Sequence, residues 1–374
     1  MRIAIVTESF LPTINGVTNS VLRVLEFLDA YGHEALVIAP QAPNAPDSYL
    51  GFRVKHVPSL NTKKLIPMGF PRLSLKHFIE GFHPDVIHLS SPALLGGYAS
   101  RVAREFGIPT VSIYQTDVSG FARHYGLGIG SDGFNRTLAR IHAGTTRTLA
   151  PSSSAIATLK KFGAENVYLW QRGVDLQRFH PERRDEELRR SWGAPRKKIV
   201  GYVGRLAAEK SLEDLTGIHS RSDVQLVIVG DGPIRQRLEE KLPEAIFSGF
   251  KSGLELATYY ASFDFFIHTG QHETFCQSIQ EALSSGVPVI APKAGGPIDL
   301  VNNGINGAFY DPLDVSQIAL ALDWLLDLEH ESLEFSARES VSHRDWEKIN
   351  KELFDHYRAV IREKSSTIDN QGVA

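Results

Sequence analysis

Short apolar runs alternate with helix-periodic stretches along nearly the whole chain, and the alternation starts over past the middle. The first series reads "RIAIVT", "EALVIAP", "FRVKHV", "DVIHLS", "PTVSIY" and "RTLAPS"; the second reads "KKIVGYVGRL", "VQLVIVGDG", "AIFSGF", "FDFFIHT", "VPVIA" and "NGAFYD". Runs this short, apolar on consecutive residues, suit strands covered on both faces, which a parallel sheet flanked by helices provides. Between two of them, "TNSVLRVLEFLDAYGH" sets Val17, Val21, Val24 or Leu25, and Leu28 along one stripe, as expected of a helix lying on such a sheet. The expected fold class is α/β, with two Rossmann-like, doubly wound parallel-sheet domains in tandem. A length of 374 residues also exceeds what one core normally serves. We expect a first domain over 1–170, a highly charged hinge and connector over 171–197, and a second domain over 198–340. The helix expected over 341–364 carries Trp346, Ile349, Leu353, Tyr357 and Val360 or Ile361 on one side, which suits packing back across the first half; the polar tail 365–374 is expected to fray.

Charge and cysteine usage narrow the function classes. The net charge is −3 with no long single-sign block, so nothing electrostatic supports binding to nucleic acid. A single cysteine, Cys276, excludes an internal disulfide and fits a reducing compartment. The opening apolar run is too short for a signal peptide or a transmembrane helix. A cytoplasmic protein whose membrane contact is peripheral is expected.

The stretch "HETFCQSIQEALSSGVPVIA" places Glu273 and Glu281 eight positions apart. A helix from about Phe275 to Ser284, ended by Gly286, puts Glu273 before the helix and Glu281 inside it, about 12 Å apart. Helix N-terminal amides between two carboxylates suit an elongated ligand with hydroxyls at both ends and an anion in the middle, the shape of a nucleotide sugar. Arg205 and Lys210, in "GRLAAEK" after the first strand of the second half, supply the cations that a departing diphosphate requires. In open parallel sheets ligands sit beyond the carboxyl ends of strands at a switch in strand order, and all four residues fall there.

Other positions on that rim are less committed. "VIVGDGPIRQRLEE" has the tight turn of a dinucleotide site, but Arg235 stands where its third glycine belongs. Gly249, Phe250 and Lys251 either offer backbone groups to a nucleobase or form a plain turn. Asn15 and Gly16 in the first half either bring backbone close to a ligand or cap a helix. Gln115 and Asp117, in "SIYQTDVSGF", either hold sugar or acceptor hydroxyls or, for Asp117, cap a turn. No D-x-D pair and no His or Cys set with metal-ligand spacing occurs, nor a P-loop or G-x-S-x-G elbow.

Taken together, the "NGV" turn, "GRLAAEK", "VIVGDGP" and "ETFCQSIQE" followed by "ALSSGVPVIA" resemble the retaining nucleotide-sugar glycosyltransferases of family four, in family order and over nearly the whole chain. The resemblance implies a GT-B fold, two facing Rossmann-like domains with an interdomain cleft. It also implies that Arg205 and Lys210 bind the donor diphosphate, that Glu281 binds ribose hydroxyls, and that Glu273 contacts the transferred sugar, with backbone amides near Phe275 and Cys276 aiding the sugar or the phosphate. Same-face transfer with the leaving phosphate taking the acceptor's proton, and no bound metal or other cofactor, are implied as well. Gln115 stands where many members carry a histidine; glutamine bonds a hydroxyl but carries no proton at neutral pH.

"LWQRGVDLQRFHP" and "YQTDVSGF" are most similar to the branch acting on glycolipids, which implies mannose transfer from GDP-mannose to a lipid-linked glycan or glycolipid of lipomannan type. A UDP- or ADP-sugar donor, as in glucosyl or sulfoquinovosyl lipid synthesis, is the alternative, and a sugar-nucleotide-binding protein without turnover a third. A lipid acceptor implies residence at the inner face of the plasma membrane. The run "FRVKHVPSLNTKKLIPMGFPRLSLKHF" mixes Lys55, Lys63, Lys64, Arg72 and Lys76 with Leu65, Ile66, Met68 and Phe70. Such a mix either sits on an anionic bilayer surface or forms a long solvated loop.

Overall fold

The computed structural model describes residues 1–60, 68–69, 73–115 and 131–371. The chain divides into two compact units; among the described residues the first holds 1–60, 68–69, 73–115, 131–172 and 347–371, and the second holds 173–346.

The first unit is built on an eight-stranded sheet ordered β10-β9-β8-β7-β1-β2-β4-β3. Its strands are β1 (Arg2–Thr7), β2 (Glu34–Pro40), β3 (Ser48–Tyr49), β4 (Phe52–Val57), β7 (Val86–Ser90), β8 (Thr110–Ile113), β9 (Arg147–Ala150) and β10 (Val167–Leu169); β5 (Ser59–Leu60) and β6 (Met68–Gly69) form a separate two-stranded ribbon. All neighbours in the large sheet are parallel except β3 against β4. Chain order reverses at β1, which pairs with β2 on one side and β7 on the other. Ile3 through Val6 are all fully buried, because helices cover both faces.

The first helix (Gly16–Ala30) buries Val21, Val24, Leu25 and Leu28 of the expected stripe. Val17 stays partly exposed, and Thr18 takes the place behind it. The last helix runs Trp346–Gln371, and its part within this unit completes the first unit's core. Ile349, Leu353, Phe354, Tyr357 and Val360 are buried there. Trp170 Nε1 donates to the Ile349 carbonyl at 2.9 Å, and Tyr357 Oη lies 2.5 Å from His88 Nδ1. The helix outlasts the boundary expected at 364, and the Ser365 and Ser366 hydroxyls donate to carbonyls one turn back.

The second unit has a six-stranded, all-parallel sheet ordered β13-β12-β11-β14-β15-β16. These are β11 (Lys198–Val203), β12 (Val224–Val229), β13 (Ile246–Gly249), β14 (Phe265–Ile267), β15 (Val289–Pro292) and β16 (Gly307–Tyr310). Alternate residues of each strand feed two cores. Ile199, Val227, Phe266 and Val289 point to one face, whereas Val200, Leu226, Phe265 and Ile290 point to the other. That two-sided burial explains the uninterrupted apolar runs in the sequence. Residues 173–197, expected as a connector, are folded into this unit, with Phe179 and Trp192 in its core. The many charges of that stretch had hidden its spaced apolar residues. Arg189, for example, is buried and forks onto Asp264 at 3.0 and 3.2 Å.

Candidate active site

In the second unit, β11 and β14 are neighbours in the sheet but not in the chain, so strand order turns there. The loops leaving their carboxyl ends are the place where such sheets hold ligands. The β11 loop carries Arg205 and Lys210 and the β14 loop carries Glu273. The Thr269 hydroxyl, on the β14 side, donates to the Lys210 carbonyl at 2.6 Å and ties the two loops together. Lys210 Nζ donates to Glu273 Oε1 in a short ion pair with both side chains about three-quarters buried. Burial works against the charge on Lys210, but Glu273 outweighs it and the ammonium is held above its ordinary pKa. Arg205 stands apart from this pair, with its side chain 55% exposed and 3.7 Å from Glu209. It is a mobile-length cation at the mouth rather than a buried partner.

The helix after Glu273 begins later than its sequence suggests, at Gln277, and ends at Ser284. Cys276 is the reason. As N-cap it adopts φ +79° and ψ +79°, a left-handed conformation that turns the chain sharply between Phe275 and the first helical residue. Phe275 and Cys276 are buried, and Cys276 Sγ lies 3.4 Å from Ser278 Oγ. Burial, with Glu273 nearby, pushes the thiol up to about 12, so it stays protonated and unreactive at neutral pH. The glycine loop after β15 supports this turn from behind: Gly296 N donates to the Glu273 carbonyl at 2.7 Å.

Glu281 lies one helix length on, partly exposed. Desolvation pushes its carboxyl up to about 7, although the Tyr260 hydroxyl and Arg178 act to lower it and Asp175 adds to the rise. Arg178 and Asp175 are themselves paired at 3.4 Å. They come from the stretch read as a connector, so their place beside Glu281 was not legible in the sequence. Gly249 ends β13 with φ +70°, and Phe250 follows it 75% exposed. Lys251 donates to Glu255 at 2.5 Å. In sheet order these three follow β13, two strands from β11, and Gly230, just past β12, donates to the Gly249 carbonyl at 2.8 Å.

In the first unit the loop after β1 leads to Asn15, whose side chain accepts from Val17 N and Thr18 N at 2.9 Å and so caps the first helix. Gln115, past the end of β8, is buried. Arg172 joins the two segments, donating from Nη2 to Gly16 O at 2.9 Å and to Gln115 Oε1 at 2.6 Å. A Cβ on Gly16 would stand 3.0 Å from Arg172 Nη1, so glycine makes room for the guanidinium. Nearby, Glu8 Oε1 accepts from Ala93 N and Gly96 N at 2.8 and 3.0 Å, capping the Leu94–Glu105 helix from a different segment. Burial raises the Glu8 carboxyl while those amides hold it down. The sequence reading singled out neither Arg172 nor Glu8, because each acts across segments far apart in the chain. Asp117 lies outside the described residues, as do Lys63, Lys64, Leu65, Ile66, Phe70 and Arg72.

We expect Arg172→Met to lower folding stability by about 1.5–3 kcal/mol, the usual worth of a hydrogen bond to a charged donor. Arg172→Lys would keep charge without the fork and fall between. Urea midpoints measure both, and an unchanged midpoint for Arg172→Met would show that the bridge adds nothing.

These two groups of residues can be set against known proteins. A family model described as "Glycosyltransferase Family 4" matches residues 14–178, and one described as "Glycosyl transferases group 1" matches 184–340. A GDP-mannose-dependent alpha-mannosyltransferase of Corynebacterium glutamicum is 49% identical over 369 residues, spanning 96% of this chain and 89% of that one. The chain belongs to the family four glycosyltransferases. A second relative, the GDP-mannose-dependent alpha-(1-6)-phosphatidylinositol dimannoside mannosyltransferase of Mycobacterium tuberculosis, is 28% identical over 317 residues, 80% of this chain and 82% of that one. Among solved structures, Anabaena Alr3699/HepE in complex with UDP-glucose matches with a TM-score of 0.77 and 19% identity, covering 96% of this chain and 100% of that one. The glycosyltransferase therefore has the GT-B fold, its two parallel-sheet units being those described above. Its Lys210–Glu273 pair sits at the switch point of the second sheet.

Proposed function

We propose that this glycosyltransferase moves mannose from GDP-mannose to a membrane glycolipid with retention of anomeric configuration. The observation that carries the donor is the near-half identity, over almost the full length of both chains, to a relative named for GDP-mannose. The glycolipid acceptor draws support from the mycobacterial relative named for a phosphatidylinositol dimannoside.

In this reading Lys210 and Arg205 hold the diphosphate, whose charge grows as its bond to the sugar breaks. Charges placed beforehand in a partly dry site stabilise that developing anion more than the ground state. Glu273 takes hydroxyls of the mannosyl ring, Glu281 takes those of the ribose, and the turn at Phe275 and Cys276 lends amides to the phosphates. Gly249, Phe250 and Lys251 meet the base, and Gly16, Gln115 and Asp117 serve sugar or acceptor from the first unit. The departing phosphate accepts the acceptor's proton on the same face, and no metal takes part. No described helix is long and apolar enough to cross a membrane. Contact with the inner face of the plasma membrane is assigned to the basic and apolar run around Lys55, Lys63, Lys64, Arg72 and Lys76.

The test is a thermal shift of the purified protein, with chelator present, against GDP, UDP, ADP and NADH. A ligand at a hundred times its dissociation constant stabilises the state that it binds by about 2.7 kcal/mol. GDP alone is expected to raise the midpoint, and labelled GDP-mannose is then expected to give a chloroform-soluble product with membrane extract. A rise with UDP or ADP instead would overturn the donor, and a rise with NADH alone would overturn the reading of the site.

A further inference from the structure

The Lys210–Glu273 pair has a third neighbour with no assigned task, His268. It is the first residue past β14, and its backbone N–H continues the ladder to the Ile290 carbonyl at 2.9 Å. Its side chain is 3% exposed; the Gly270 backbone lies against the ring, and neither ring nitrogen makes a hydrogen bond of full geometry to the described residues. Nε2 lies 3.8 Å from Glu273 Oε1, the same oxygen that accepts from Lys210. A buried donor left unpaired beside a site is a feature that native structures rarely keep without a use.

We propose that His268 is a positioning residue that takes over Glu273 Oε1 when a bound diphosphate draws Lys210 away. This rests on the reading that Lys210 binds the donor diphosphate. Two phosphoryl groups outbid one carboxylate for the ammonium, so Glu273 loses its counter-charge at the moment when the sugar needs it ionised and aimed. A neutral N–H closing the 3.8 Å gap restores a donor to Oε1 and leaves Oε2 for a sugar hydroxyl. A neutral donor suits the task better than a cation, which the diphosphate would draw away from the carboxylate as it draws Lys210. Burial supports that neutrality by pushing the imidazole down to about 4, with Glu273 and the Gly270 backbone opposing and Lys210 reinforcing the shift. The space is tight as well: a Cβ on Gly270 would stand 2.9 Å from His268 Nε2 and 3.2 Å from Glu273 Oε1, so glycine at 270 leaves room for both groups.

Two readouts test this on the full chain. In the first, His268→Leu and His268→Gln are compared for kcat, donor KM and GDP affinity. The leucine variant is expected to bind GDP as the wild type does and to lose kcat by about tenfold or more at unchanged KM; glutamine, which keeps an N–H donor, recovers most of that loss. In the second, the wild-type His268 imidazole resonance, assigned by its absence from the glutamine variant, is expected to shift on saturation with GDP. A leucine variant with kcat within twofold of wild type, equal losses in both variants, or a resonance unmoved by bound GDP overturns the hand-over. Wild-type protein that binds none of the nucleotides overturns the diphosphate reading itself, and the hand-over with it, so the two failures are told apart.

Discussion

Replacing Glu273 with alanine is expected to cut the transfer rate by about a hundred- to a thousandfold, the usual cost of deleting one preorganised electrostatic contact at a reacting centre, while GDP affinity changes little. The carboxylate is fixed by Lys210 on one oxygen and belongs to a loop tied down by the Thr269 bond and the Gly296 amide. Nothing in that arrangement depends on a nucleotide, so the loss is expected in kcat. Glu273→Gln preserves shape and removes charge; it tests whether the charge matters, and its rate is expected to lie near that of alanine. Single-turnover kinetics with labelled donor, beside calorimetric GDP binding, separate the terms. Transfer surviving within tenfold in the alanine variant would remove Glu273 from the reacting centre, and a parallel collapse of GDP binding would mean that it serves the nucleotide instead.

Gly296→Ala is expected to injure both stability and turnover. A Cβ there would stand 2.5 Å from Phe275 Cα and 2.6 Å from its N and O, all backbone atoms that cannot swing aside. Overpacking of this kind costs about 1–3 kcal/mol. The displacement falls on Phe275, between Glu273 and the left-handed Cys276, and a misplacement of about 1 Å at a reacting group can lower a rate a hundredfold. Urea midpoints and rates measured well below the unfolding temperature check the two effects. An alanine variant with wild-type midpoint and rate would mean that the turn relaxes freely and that its close packing is not required.

The sheets were readable in advance because the central strands, such as β1, β7, β11 and β15, are buried on two faces and so appear as runs rather than alternations. Five of the six strands of the second unit lie within the expected segments, and β15 runs one residue past its own, to Pro292. The very short β3, β5 and β6 and the three-residue β10 were missed, since a few residues give no periodicity. The carboxylate spacing and the Arg205–Lys210 loop were legible because both are local patterns attached to a recognisable strand end. Contacts made across the fold were not. Arg172 meets Gly16 and Gln115 from more than fifty residues away, Gly296 reaches the turn after Glu273 from beyond the next strand, and His268 meets Glu273 only in the folded loop. The left-handed Cys276 was also hidden, because only neighbouring packing, and no residue preference, places a cysteine at φ +79°.

The return of the last helix to the first unit sets the order in which the chain can finish folding. Among the described residues the second unit is one continuous stretch, 173–346, and that stretch is complete as soon as it leaves the ribosome. The earlier-made unit still lacks Ile349, Leu353 and Tyr357 at that point, so the Trp170 indole has no carbonyl to meet and the His88 ring has no phenol. The half synthesised first is therefore sealed last. A transcript cut short near its end would release a chain with one sound half and one open core, a natural substrate for the cell's proteases.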